Sequence, residues 1–479
     1  MPIPFAQLLL ASAILAGGVP VARHARRRPE RAPPGDRIAR LALGLTPALA
    51  VVALLSPRSG GPAAALLGLP LFVDAVSLVL LIVVGVLGLV VYRYAARCLL
   101  GEPRRDAFLR ALAVTVASVE ALLLAGHLLL LAAAWIAASL GLHRLLLHYG
   151  ERPRAHAAAR KKFVISRLGD AALLGATLVL YRQFHTFDLA VLFAKMAQPL
   201  TAEESRAVSL AGFGLVLSAM CKSAQVPLQS WLPDTLEAPT PVSALMHAGI
   251  VNAGGYLVLR MGPVLAHAPG ALTTLVVVGA VTAAAGSVVL WTQTDVKRGL
   301  AWSTVSQMGF MMLQCGLGAF AAALVHLVGH SFYKANAFLR SGTLPLAADP
   351  PARALPPAAA LARLGAGAAL ALLSATAVLR VTGHAISGAT LLLVLVTVLA
   401  AAQLLLAPAS AAATGGMRAL LAVLVSAFAT ALFVAGEGLF GGQVAEVPDL
   451  LARGPSGVFA AAFVALLFVG TTLLYALLP

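Results

Sequence analysis

Residues 210–262, LAGFGLVLSAMCKSAQVPLQSWLPDTLEAPTPVSALMHAGIVNAGGYLVLRMG, decide how the rest of the chain is read. The stretch opens as an apolar run of the kind that crosses a bilayer and then meets Lys222. Pro227, Pro233, Pro239 and Pro241 break it, and it resumes with His247 in its second half. A lysine at the centre of a membrane helix costs about 2.5–3.5 kcal/mol on insertion scales. Each proline removes a backbone donor and a helical hydrogen bond that lipid cannot replace. Such costs are tolerated where ions or protons are handled, so Lys222 and His247 are the first candidates for an ion-translocation site.

Composition points the same way. Hydrophobic residues fill 60% of the 479 positions and charged residues only 11%, which excludes a soluble two-domain enzyme and indicates a polytopic membrane protein. The formal net charge is +16, but Lys and Arg gather in short segments between apolar runs. That is the pattern of cytoplasmic membrane loops and not of a nucleic-acid surface. Cys98, Cys221 and Cys315 lie far apart with no paired spacing, so neither a disulfide framework nor a zinc site is indicated. Met1 to Val19 lacks a cationic segment ahead of its apolar run and is followed by arginines, so it reads as a first span and not a cleaved signal.

A window of about 20 residues per span gives an all-α protein with about fifteen transmembrane helices. Spans fall near 3–22, 40–55, 71–92, 108–125, 127–143 and 164–181. The broken seventh follows, then 242–262, 271–292, 299–317, 319–340, 360–381, 386–407, 416–435 and 456–478. The arginine-rich segments after spans one, three and five, and the TDVKRG turn after span nine, share the cytoplasmic side. This parity puts the N-terminus outside and the C-terminus inside, in a multi-pass membrane protein. Transporters are often built from inverted repeats whose broken helices meet near the midplane. The expected division is 1–107 for helices 1–3, 108–262 for a first inverted repeat of five helices, 263–407 for a second, and 408–479 for helices 14 and 15. In that scheme SAMCK, ending at Lys222, falls opposite TAVLR, ending at Arg380. Arg380 is then either the second repeat's cation or a side chain snorkelling to an interface.

Other polar residues extend the candidate path. His326, His330 and Lys334 stand at i, i+4 and i+8 in HLVGHSFYK, on one helical face, where imidazoles titrate near neutral pH. Lys222, Gln225 and Gln229 share a face, so a polar stripe continues below the lysine, and Ser303, Ser306 and Gln307 offer places for water. Glu120, the only carboxylate inside span four, is either a protonated acid hydrogen-bonded to a neighbour or an ionised partner for Lys222. Asp170, in ARKKFVISRLGD, pairs with Arg167 or reaches the core of the bundle. Asp234 and Glu237, after the break, mark a cytoplasmic entrance or a partner contact.

KSAQVPLQSWLPDTLEAPTPVSALMHAGIVNAGGYL, TDVKRGLAWSTVSQMGFMML and HLVGHSFYKANAFLRSG resemble the signature segments of the antiporter-like membrane subunits of respiratory complex I, Mrp-type cation antiporters and their relatives. The resemblance runs from about residue 70 to 345. It implies that Lys222, His247, His326, His330 and Lys334 belong to a proton or cation path. Two features depart from the respiratory pattern. Ile136 follows the tryptophan of span five where those subunits carry glutamate, and no lysine occurs after Lys334. By contrast, WIAASLGLHRLLLHY and PDTLEAPTPVSALMHAGIVNAGGYL are similar to DabB, the membrane subunit of DAB-type inorganic carbon accumulation systems. That resemblance implies a large cytoplasmic zinc partner, DabA, related to β-carbonic anhydrases. It also implies a subunit that is not itself an enzyme, with neither cofactor nor metal in this chain. Two other roles stay open: an antiporter-like subunit of a complex I, hydrogenase or Mrp-type assembly, and a non-conducting membrane anchor.

Overall fold

The computed structural model describes residues 34–55, 65–66, 69–342, 356–383, 415–440 and 455–477, with isolated positions between 390 and 399 and at 453. Expected span one lies outside the described residues, as does nearly all of span thirteen. In chain order the helices are α1 (Pro34–Leu55), α2 (Ala75–Cys98), α3 (Arg105–Leu124), α4 (Leu128–Leu146), α5 (Pro153–Phe184), the short α6 (Leu189–Met196) and α7 (Ala202–Lys222). Then come α8 (Thr240–Ala248), α9 (Ala253–Arg260), α10 (Gly262–Leu265), α11 (Pro269–Trp291), α12 (Val296–Leu317) and α13 (Phe320–Arg340). The last described are α14 (Pro357–Thr382), α15 (Gly415–Phe440) and α16 (Pro455–Leu477). A two-residue antiparallel ribbon, Ala65–Leu66 with Leu69–Pro70, is the only sheet among the described residues.

Among the described residues nine helical segments are long and apolar enough to cross a membrane. The helices α7, α12 and α13 exceed twenty residues yet fall short of that hydropathy. They are the ones that carry Lys222, the Ser303–Ser306 pair and the His326–His330–Lys334 row. Low hydropathy and candidate chemistry coincide because Lys222, His330 and Lys334 are buried inside the bundle, while Ser303, Ser306 and His326 are half-buried.

Helix ends follow local chemistry. Asp74 caps α2 by accepting from the Ser77 amide at 2.7 Å. Thr201 and Glu204 form a capping box at the start of α7. The basic stretch expected as a loop after span five is helical from Pro153 onward, the proline sitting where a first-turn residue needs no amide. At its other end α7 stops at Lys222. Ala224 adopts a left-handed φ of 50°, Val226–Pro227 is cis, and the chain continues through 3₁₀ turns at Gln229–Trp231 and Thr235–Glu237. Side chains satisfy part of the broken backbone: the Val226 amide donates to Thr282 Oγ1 (3.0 Å), and Ser223 Oγ donates to the Val251 carbonyl (2.6 Å).

α11 and α12 touch backbone to backbone. A Cβ on Gly286 would lie 2.7 Å from the Ser306 amide nitrogen, and one on Gly316 2.6 Å from that of Val276. Small residues of this kind replace the hydrophobic driving force that helices lack in lipid, by letting main chains approach closely. The close approach fixes the register of α12, and with it the positions of Ser303 and Thr304.

Candidate functional site

Two polar clusters lie in the interior. The first gathers around Lys222, at the C-terminal end of α7 and 6% exposed. Its Nζ donates to Ser139 Oγ (2.6 Å) and to the Trp135 carbonyl (3.2 Å), both on α4. The ammonium also sits 4.1 Å from the Trp135 ring centroid, in cation–π contact. One α4 face therefore supplies a hydroxyl, a carbonyl and a ring, one turn apart. Asp170, on the facing side of α5, is electrostatically coupled to Lys222 but makes its ion pair with Arg167 (2.5 Å). The structure thus realises both expectations for Asp170: it pairs with Arg167 and it is buried.

The second cluster joins α8, α12 and α13. Lys334 Nζ donates to Ser303 Oγ (2.8 Å) and to the Leu300 carbonyl (3.2 Å). Thr304 Oγ1 donates to the same carbonyl (2.9 Å) and lies 3.0 Å from His247 Nδ1. His247 stacks on Phe338 with ring centroids 4.2 Å apart. His326, His330 and Lys334 do share one face of α13. His326 Nδ1 is 2.8 Å from Gln314 Oε1, and its ring meets His330 edge-on at 6.1 Å. Both nitrogens of buried His330 lack a protein partner among the described residues. Beside this row Asn252 donates to Ser331 Oγ (2.8 Å), and the two border a cavity of about 20 Å³ that also touches Tyr256. That volume holds about one water molecule.

Lys222 and Lys334 are held by the same arrangement, a serine hydroxyl plus a main-chain carbonyl on a neighbouring helix. Neither ligand carries charge. A hydroxyl can accept from an ammonium or donate to a neutral amine, so the site tolerates both protonation states. Such a site is chemically able to hold either an ammonium or a neutral amine.

Other expected residues are placed differently. Glu120 is fully buried, and neither carboxylate oxygen has a hydrogen-bond partner among the described residues. It neither bonds a neighbour nor pairs with Lys222, whose coupled carboxylate is Asp170. The polar stripe expected from Lys222 through Gln225 to Gln229 does not form, because α7 ends at the lysine and Gln225 turns back to the Ser223 carbonyl (2.8 Å). Arg380 is exposed in the last turn of α14 and joins neither cluster. Asp234 and Glu237 lie at the surface after the break, paired with Lys161 (2.6 Å) and Arg152 (3.3 Å) from the start of α5.

Sequence reasoning did not single out Lys162, Ser139 or Trp135. Lys162 is 2% exposed and donates to the Ser139 carbonyl (2.6 Å). A signal existed: Lys162 falls at helical spacing with Ala155, Ala158, Ala159, Gly169 and Leu173, all buried on α5. Also unforeseen is a buried clasp where α2 begins and α9 ends. There Arg260 forks onto Asp74 (2.8 and 3.1 Å) and reaches Ser77 Oγ and the Tyr256 hydroxyl, while that hydroxyl donates to the Leu122 and Leu123 carbonyls (3.2 and 3.1 Å).

Residues 125–349, which contain Lys222, Lys162 and every member of the second cluster, match the family described as NADH:quinone oxidoreductase/Mrp antiporter, TM. This segment is similar to the membrane domain of antiporter-like subunits. Over 281 residues the chain is 45% identical to the probable inorganic carbon transporter subunit DabB2 of Halothiobacillus neapolitanus, covering 58% of this chain and 50% of that protein. Over 276 residues it is 39% identical to NADH-quinone oxidoreductase subunit L of Mycobacterium tuberculosis, covering 57% of this chain and 43% of that one. The chain thus spans about half the length of these curated relatives. Among solved structures, the Mrp complex from Dietzia sp. aligns over 98% of this chain and 52% of that one, with a TM-score of 0.62 at 23% identity. An archaeal membrane-bound sulfane sulfur reductase aligns over 98% of this chain and 96% of that one, with the same TM-score at 16% identity, and both likenesses concern the fold. The chain is a multi-pass protein of the bacterial inner membrane, similar over this segment both to DabB subunits and to subunit L.

Proposed function

We propose that this chain is a proton-conducting membrane subunit that energises a cytoplasmic zinc subunit of the carbonic-anhydrase type, for accumulation of inorganic carbon as bicarbonate. The observation that carries the reading is the pair of buried lysines, Lys222 and Lys334, each held by a neutral serine and a carbonyl. An amine that keeps its ligands in either protonation state can load and release a proton without the cluster coming apart. Lys222, His247, His326, His330 and Lys334 form the path. One elementary charge moved through 100 mV is worth about 2.3 kcal/mol, and this is the energy passed to the partner. Charge on one lysine disfavours charge on the next in the low-dielectric interior, which gives the steps their order. The zinc and the hydration chemistry belong to the partner. The carbon-transport branch is favoured by the 45% identity to DabB2 and by Ile136 beside Trp135, where the respiratory resemblance leads one to expect an acid.

A second reading, an antiporter-like subunit of a respiratory or Mrp-type assembly, draws on the 39% identity to subunit L and uses the same path with a different partner. Copurification from native membranes, with metal analysis of what comes down, separates the two: a large zinc-bearing partner supports the first, and quinone-reducing or antiporter subunits support the second. Proton flux in vesicles carrying the assembled Lys222→Ala complex tests conduction itself. Unchanged flux and carbon uptake would leave this chain as a passive anchor.

A further inference from the structure

We propose that Lys162 is the cytoplasmic-side partner of Lys222, the two amines passing a single proton between them through Ser139. The inference rests on the conducting role assigned above and adds to it the residue through which the first lysine meets the cytoplasm.

Three observations carry it. First, both amines end on one residue: Lys162 Nζ donates to the Ser139 carbonyl and Lys222 Nζ to its hydroxyl, each at 2.6 Å. Second, Lys162 stands one residue from water. Lys161 beside it is surface-paired with Asp234, whereas Lys162 is almost wholly enclosed near the cytoplasmic end of α5. Third, Lys162 has no anion of its own. The charged and titratable groups facing it are Lys222 on α7, His143 on α4, and Arg167 and Asp170 on its own helix, and Asp170 is taken by Arg167. A lysine serving only to brace α5 against α4 would need no ammonium beside a second buried amine, since a carbonyl within α4 is already satisfied by the helix.

Two like charges this close in a low-dielectric interior repel, so the pair holds one excess proton and not two. In the transfer, the Lys162 ammonium swings from the Ser139 carbonyl to its hydroxyl, and an N–H bond of Lys162 breaks as Ser139 Oγ takes that proton. The hydroxyl gives its own proton to the neutral Lys222 amine, where a new N–H bond forms. Ser139 ends as it began, and one positive charge has moved from Lys162 to Lys222. The reverse transfer uses the same atoms.

The test is proton flux through the intact native complex in liposomes, read by an entrapped pH dye under an imposed potassium diffusion potential. Lys162→Met is expected to slow flux at least about tenfold. Lys162→Arg keeps the charge and the bond to Ser139 but does not release a proton, so it is expected to be as slow as the methionine variant while assembling normally. Should the methionine variant fail to assemble, the arginine variant carries the test alone. Wild-type flux in Lys162→Arg would overturn the proposal, because a merely structural cation is replaced by arginine without loss. If Lys222→Ala abolishes flux while both Lys162 variants conduct normally, this inference fails and the conducting role stands. If Lys222→Ala itself conducts normally, both fall.

Discussion

The clasp between α2 and α9 gives the sharpest test of how this bundle is held together. Arg260 is 3% exposed at its side chain and Asp74 22%, and the pair is bidentate at 2.8 and 3.1 Å. Removing one partner of a buried ion pair leaves the other charge uncompensated and costs about 3–5 kcal/mol. Asp74 is also the N-cap of α2, a role worth about 1 kcal/mol. Asp74→Ala should therefore destabilise the solubilised protein by about 4–6 kcal/mol, the sum of the two effects. Asp74→Asn keeps a capping oxygen and should be milder by about 1 kcal/mol. The double substitution Asp74→Ala with Arg260→Leu removes the stranded guanidinium and should recover much of the loss. Reversible SDS titration of the purified chain, read by helicity, supplies the free energies. If the double variant is no more stable than Asp74→Ala alone, the cost does not come from an uncompensated buried charge and the reasoning is wrong. Acid offers an independent check. Burial pushes the Asp74 carboxyl up, but Arg260 and the Ser77 hydrogen bonds outweigh it and hold the group below the ordinary carboxylate range. The pair's contribution is therefore complete above that range and lost as the pH falls beneath it, so Asp74→Asn should flatten that arm of the stability profile.

Three further outcomes follow from the packing and the clusters. Gly286→Leu drives a side chain into the Ser306 backbone, so α11 and α12 must separate; cysteine pairs engineered across that interface should cross-link less readily than in the parent. Thr304→Val keeps the volume near His247 but removes the hydroxyl that joins it to the Leu300 carbonyl, and proton flux should fall while thermal stability changes by less than about 1.5 kcal/mol. Ser303→Asp places a carboxylate on Lys334 and fixes its ammonium, so flux should stop in a protein at least as hard to unfold; conduction at the parental rate would refute reversible loading at that lysine.

Much of the fold was legible because lipid imposes a simple rule. Backbone polar groups in the hydrocarbon must be satisfied within the segment, so long apolar runs become helices, and their ends matched the observed α3, α11, α12 and α13 to within a few residues. The HxxxHxxxK row was legible for the same reason, since i, i+4 and i+8 share a face of any helix. Where the reading failed, it had extended helical periodicity past a break. Gln225 and Gln229 align with Lys222 only on a helix that stops at Lys222. Arg380 matched Lys222 by flanking residues, yet its environment depends on which surface α14 turns inward, and that is set by packing. Lys162 was lost among Arg160 and Lys161 because three adjacent cations read as one solvated segment. Helical geometry sends the three side chains in different directions, and only one of them enters the bundle.

The structure treats its interior cations in two ways, and under the proposed function the difference separates support from transport. Arg260 is a guanidinium that does not titrate in proteins, and it meets a carboxylate and two hydroxyls in a fork that holds one geometry. Arg167 likewise takes Asp170. Lys222 and Lys334, whose amines can lose a proton, are given serines and carbonyls instead. A carboxylate in place of those serines would stabilise the charged form and make release costly; an apolar pocket would expel the charge and make loading costly. A hydroxyl favours neither strongly, because it accepts from the ammonium and donates to the amine. The arginine beside the first cluster thus has a further consequence: by pairing with Asp170, Arg167 keeps that carboxylate near Lys222 without letting it bind the lysine.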